Sequence, residues 1–146
     1  MKRRPLVIVL ALLLAPLGCG KEKGRLPFTV PTTGVTALFL LRGDVDFWTD
    51  IDIAYRGTPS LTYRIELAQE GKVVAHTVCN PLGKLHVKMQ WAQTSVGESH
   101  TRSGLGKMSC SVKVPNGGKT EVRATLGFDQ APTSMDLKKA DLVIRQ

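Results

Sequence analysis

From Val35 onward, apolar and polar residues alternate with a period of two, the pattern of strands that bury one face. Val35 to Leu41 is a short, nearly continuous apolar run, as a buried central strand would show. Leu61, Tyr63, Ile65 and Leu67 alternate with Thr62, Arg64 and Glu66, and Gln69-Glu70-Gly71-Lys72 then turns the chain into Val73 to Cys79. The next turn is Asn80-Pro81-Leu82-Gly83, rich in residues that set turn geometry. It feeds a second alternation, with Leu85, Val87, Met89 and Trp91 opposite Lys84, His86, Lys88 and Gln90. Met108, Cys110, Val112 and Val114 repeat the pattern. Pro115-Asn116-Gly117-Gly118 turns into a strand lined by Val122, Ala124, Leu126 and Phe128, and Leu142 to Ile144 closes the series. No amphipathic helix longer than a turn or two is visible.

Seven to eight short strands separated by turn chemistry predict an all-β fold. The expected form is a single antiparallel β-sandwich over residues 35–146, with a barrel as runner-up. An immunoglobulin-like arrangement is compatible with this order, and Trp91 lies between Cys79 and Cys110 in sequence, where that arrangement places its buried Trp. Residues 19–34 are polar, punctuated by Gly and Pro, and without periodicity, so they read as a flexible tether. The fifteen residues after Cys19, 20–34, reach about 50 Å at most.

The first nineteen residues, MKRRPLVIVLALLLAPLGC, follow a different logic. Lys2, Arg3 and Arg4 precede an apolar run from Leu6 to Leu17, and Gly18-Cys19 closes the segment. That order is the order of a secretory signal. The run is shorter than the roughly 20 residues of a membrane span. A small residue followed by Cys at its end resembles a bacterial lipoprotein signal. The resemblance covers residues 1–18 and Cys19 alone. It implies that the peptide before Cys19 is removed, that the Cys19 thiol carries a diacylglyceryl group, and that the new amino terminus is acylated. Gly20 after the cysteine implies the outer rather than the inner membrane.

Composition fits that address. Residues 19–146 suffice for one domain with a real core. The formal charge of +8 falls to +5 without Lys2, Arg3 and Arg4. Such an excess suits anionic headgroups or cell-wall polymers. Nucleic acid is not an expected partner, because export removes the chain from it and no basic run is interleaved with aromatics. With Cys19 given to the lipid, Cys79 and Cys110 remain as a pair, and an oxidising compartment would join them. Closing a loop of about 32 residues stabilises a fold by about 3–4 kcal/mol in the chain-entropy model.

Candidate chemistry concentrates in two segments. Read as a strand, Asp44 to Ile53 puts Asp44, Asp46, Trp48, Asp50 and Asp52 on one face and Val45, Phe47, Ile51 and Ile53 on the other. Carboxylates two residues apart are only about 6–7 Å from one another and need a positive answer. Calcium is one such answer, although the glycine and terminal glutamate of a calcium loop are missing. Cross-strand cations such as Arg64, Lys84 or Lys88 are the other. An exposed Trp48 between Asp46 and Asp50 would also make a sugar-stacking platform. The second segment, Ala92 to Lys107, is the longest irregular stretch and reads as a recognition loop. It holds Ser95, Ser99, Ser103, Glu98 and His100, the residue types of a hydrolase triad, without a nucleophile elbow. His76 and His86 flank the Asn80–Gly83 turn and would face each other in one hairpin register. Two imidazoles without a third ligand are not a metal site.

The expected function is therefore that of a lipid-anchored, non-catalytic envelope protein that needs no cofactor. It would bind the membrane through its lipid and an envelope protein through the 92–107 segment. A glycan- or cell-wall-binding module built on Asp46, Trp48 and Asp50 is the alternative.

Overall fold

The computed structural model describes residues 20–146. The signal at 1–18 and the lipidation site Cys19 lie outside the described residues. Among the described residues nine strands form two antiparallel sheets, one more strand than the upper end of the sequence expectation. The five-stranded sheet runs β1 (Glu22–Leu26), β9 (Ser134–Arg145), β3 (Gly43–Arg56), β7 (Ser99–Val114), β6 (Leu85–Val96). The four-stranded sheet runs β2 (Thr33–Leu40), β8 (Gly118–Gln130), β4 (Ser60–Gln69), β5 (Lys72–Cys79). Among the described residues there is no helix.

The core lies between the sheets where the alternation placed it. Val45, Phe47, Ile51, Ile53 and Tyr55 point inward from β3, against Leu61, Tyr63, Ile65 and Leu67 from β4. Val122, Ala124 and Leu126 join from β8, and Ala140, Leu142 and Ile144 from β9. Turn chemistry sets the hairpin between β4 and β5. Glu70 and Gly71 both adopt positive φ, 51° and 76°, as a two-residue primed turn requires. Cys79 on β5 is bonded to Cys110 on β7 with their Cα atoms 5.5 Å apart, so the disulfide ties one sheet to the other.

Four expectations about elements need correction. Val35 to Leu41 is not a buried central strand: it runs along β2 at the edge of the four-stranded sheet, with Val35, Phe39 and Leu41 open to solvent. The segment 19–34 is not a free tether across its length. Glu22–Leu26 is a strand paired to β9, with Leu26 opposite Leu142, and Phe28 packs into the core against Tyr63. Its polar sequence hid this because backbone hydrogen bonds hold it, while only Leu26 and Phe28 are buried. The expected loop at 92–107 is instead the distal half of the β6–β7 hairpin, turned at Gly97-Glu98. β6 is solvent-exposed from Ala92 to Val96, so burial imposes no alternation there. Strand β9 is four times longer than Leu142 to Ile144. A bulge opposite Asp52 and Ile53 shifts its register and breaks the alternation that would have revealed it.

Candidate functional site

The acidic row lies where strand periodicity puts it, on the outer face of the five-stranded sheet, and cations answer two of its four carboxylates, Asp46 and Asp50. Asp46 pairs with Lys107 at 3.2 Å. Asp50 accepts from Arg25 at 2.9 Å and from Lys139 at 2.7 Å. Arg25 also donates to Asp141 at 3.0 Å and to Glu22 at 2.7 Å. Glu22 raises the Arg25 pKa most; burial opposes that rise, and Asp50 and Asp141 reinforce it. Burial pushes the Asp50 carboxyl up, but the hydrogen bonds from Lys139 and Arg25 outweigh it and hold the group below its ordinary value. The cations the sequence suggested lie elsewhere. Arg64 binds Asp129 at 2.9 Å, and Lys88 lies 5.8 Å from the Trp91 ring centroid.

Trp48 overturns the sugar-platform expectation. It occupies the outer face, opposite Val143 on β9 and Lys107 on β7, yet it is 0% exposed. Arg145 lies over the ring with its guanidinium carbon 4.7 Å from the centroid. A stacking platform needs an open aromatic face. Trp48 has none, and Asp46 and Asp50 are already engaged by cations. The Arg145 guanidinium stacked on the ring, arriving from the end of β9, accounts for the closed face.

The far end of the molecule gathers the residues of the second segment. At the tip of the β6–β7 hairpin, Ser95 Oγ lies 2.8 Å from His100 Nδ1, and the His100 ring stacks on Tyr55 at a centroid distance of 5.1 Å. Arg56, Val96, His100, Met135 and Asp136 are among the residues lining a hollow of about 460 Å³ there. Glu98, the acid nearest His100 in sequence, pairs with Arg56 at 3.8 Å. Ser99 and Ser103 pair with Arg56 and Asp52 along β3. Arg56 comes from the end of β3 and Met135 and Asp136 from the start of β9, far from the hairpin in sequence; the local signal is Val96, an apolar residue beside the turn glycine Gly97. Val96 is 80% exposed.

His76 and His86 do not meet. They stand on β5 and β6, which belong to different sheets, because the Asn80–Gly83 turn crosses the sandwich instead of closing a hairpin. His76 pairs with Glu66 across β4. Among the described residues, no three His, Cys, Asp or Glu side chains gather as a metal site would require. Trp91 is half-buried on the edge strand β6 and donates from Nε1 to Gln93 Oε1 at 3.2 Å. No protein-family model matches the chain, and no curated protein matches its sequence.

Proposed function

We propose that the protein is a lipoprotein of the cell envelope, anchored through Cys19, whose β-sandwich acts by non-catalytic contact with an envelope protein. The carrying observation is the apolar run Leu6 to Leu17 closed by Gly18-Cys19, three residues ahead of the first strand. The disulfide between the sheets supports it, since such bonds persist in oxidising compartments. The contact surface is the tip of the β6–β7 hairpin, where an exposed Val96 borders the hollow beside Tyr55 and His100. Hairpin tips on a rigid sandwich suit recognition, because the scaffold fixes them while their side chains stay free. The outer membrane is the expected site of anchoring.

Metabolic labelling with radioactive palmitate tests the anchor. The wild type takes up label and Cys19→Ala does not; an unlabelled wild type contradicts the proposal. A fluorophosphonate probe tests the non-catalytic reading. Wild type stays unlabelled, whereas labelling lost in Ser95→Ala would make the Ser95–His100 pair a nucleophile and its base.

A further inference from the structure

We propose that the end of the sandwich where β1 begins is a membrane-docking face, resting on an anionic lipid bilayer and standing the hairpin tip away from it. The inference rests on the lipid anchor at Cys19 and adds an orientation to it.

The anchor point has almost no slack. Lys21 exchanges both backbone hydrogen bonds with Gln146, at 2.9 and 3.0 Å. Two residues of chain, at most about 7 Å, therefore separate the Lys21 Cα from that of Cys19. The Gln146 side chain in turn clamps Leu41. It accepts from the Leu41 amide at 2.7 Å and donates to the Leu41 carbonyl at 2.6 Å. Lys21, Gln146 and Leu41 thus form one hydrogen-bonded unit, and the acylated cysteine leaves the domain beside it.

Three turns gather at this same end. Gly43 is paired with Val114, Leu40 with Gly118, and Gln69 donates to the Asn116 carbonyl at 2.8 Å. Two successive outward positions of the β2 side are apolar and open there: Phe39 is 68% exposed and Leu41 55%. Phe39 stands opposite Lys119. Exposed cations surround them: Lys21, Arg42, Lys72, Lys113 and Lys119. Among the described residues none of these five is in an ion pair. The acids of this end are fewer. Glu22 is committed to Arg25 and Glu121, beside Lys119, to Arg123, which leaves Asp44, Glu70 and Glu66 against the five cations. At the opposite end, Arg56 is matched by Glu98 and Arg64 by Asp129.

A cluster of four or more Lys and Arg beside a membrane anchor is the pattern that attracts an anionic leaflet. Exposed apolar side chains in its midst enter the headgroup boundary, as they do for other interfacial anchors. The attraction acts only within about a Debye length, roughly 8 Å at physiological salt. The short link to Cys19 keeps this face inside that range. Strand β3 runs from this end at Gly43 to the far end at Arg56. Fourteen residues at about 3.3 Å each hold the hairpin tip about 45 Å from the lipid.

The test uses the acylated protein extracted from membranes, with an environment-sensitive nitrobenzoxadiazole dye on Leu41→Cys or on Val96→Cys. Each is reconstituted into vesicles of phosphatidylcholine and phosphatidylglycerol in equal parts, with nitroxide-bearing lipid as quencher. The expected result is loss of most emission at position 41 and none at 96. Arg42→Glu with Lys113→Glu abolishes the quenching at 41, read as the ratio of emission with and without nitroxide lipid, while the protein stays with the vesicles. Equal, unquenched emission at both positions in vesicle-bound protein overturns the docking and leaves the anchor standing. If intact mass shows no acyl chains, the anchor reading fails by itself. Sedimentation of that unacylated protein with the same vesicles would then support the docking face, and its absence would overturn it.

Discussion

The Tyr63 hydroxyl reaches from one sheet to the other, donating to the Ala140 carbonyl at 2.9 Å and sharing a 3.0 Å hydrogen bond with Thr49. Tyr63 belongs to β4, whereas Thr49 and Ala140 belong to β3 and β9, so a polar bridge crosses an apolar core. Phe28 lies against the Tyr63 ring at 6.0 Å between centroids, which places the end of the first strand over this bridge.

Tyr63→Phe leaves the Thr49 hydroxyl without its partner in the core. A buried polar group left unsatisfied costs about 1–3 kcal/mol, and equilibrium urea unfolding should show a loss of that size. Burial pushes the phenol pKa up, the Thr49 hydrogen bond opposes that, and Asp141 and Asp50 add to the rise. The neutral form is therefore favoured in the fold. Stability falls as pH rises above the unfolded phenol value of about 10. Tyr63→Phe removes that alkaline slope, and a slope that persists in the variant contradicts the assignment.

Acid acts on Asp50. Its folded pKa is depressed by Lys139 and Arg25 despite burial. The stability it contributes is present above the unfolded value of about 3.9 and is lost as pH falls through the lower folded value. Asp50→Asn should flatten this part of the acid limb. It should also cost stability at neutral pH, because Arg25 and Lys139 then face one carboxylate fewer.

The Cys79–Cys110 bond spans the two sheets, and opening it frees a loop of about 32 residues, worth about 3–4 kcal/mol. Unfolding with and without reductant measures this directly. Thiol counting on the denatured, unreduced protein should find neither Cys79 nor Cys110 free.

Gly104 is the hairpin glycine whose open side faces the backbone of the partner strand. Its φ is +131°, and an added Cβ would meet the Gln90 carbonyl oxygen at 2.7 Å and the Trp91 Cα at 2.9 Å. Gly104→Ala therefore pushes β6 off β7, at a cost of about 1–3 kcal/mol. Amide exchange in β6 and Trp91 fluorescence should change while the disulfide and β4 stay protected.

Much of this architecture was legible along the chain. The inward series of β3, β4 and β8 could be read off because each strand buries one face between the sheets and turns the other outward, which imposes alternation. Cys79 and Cys110 could be paired from compartment and count. Legibility failed where burial does not set the pattern. Strand β1 is held mainly by its backbone, β6 beyond Trp91 is open to solvent, and the bulge in β9 breaks the alternation near Leu137. What covers Trp48 is illegible for a related reason. Period two places it outward, but carries no information about Arg145 arriving from the end of another strand. The hollow at the hairpin tip was half visible, since His100 and Ser95 stood out while Arg56 and Met135 come from distant strands.

Intact mass spectrometry of the protein extracted from membranes decides whether Cys19 is the lipid anchor. The expected chain begins at Cys19 and carries the added mass of a diacylglyceryl group and an amino-terminal acyl chain, both missing from Cys19→Ala. A wild-type chain of unmodified mass, or one that begins anywhere else, would contradict it.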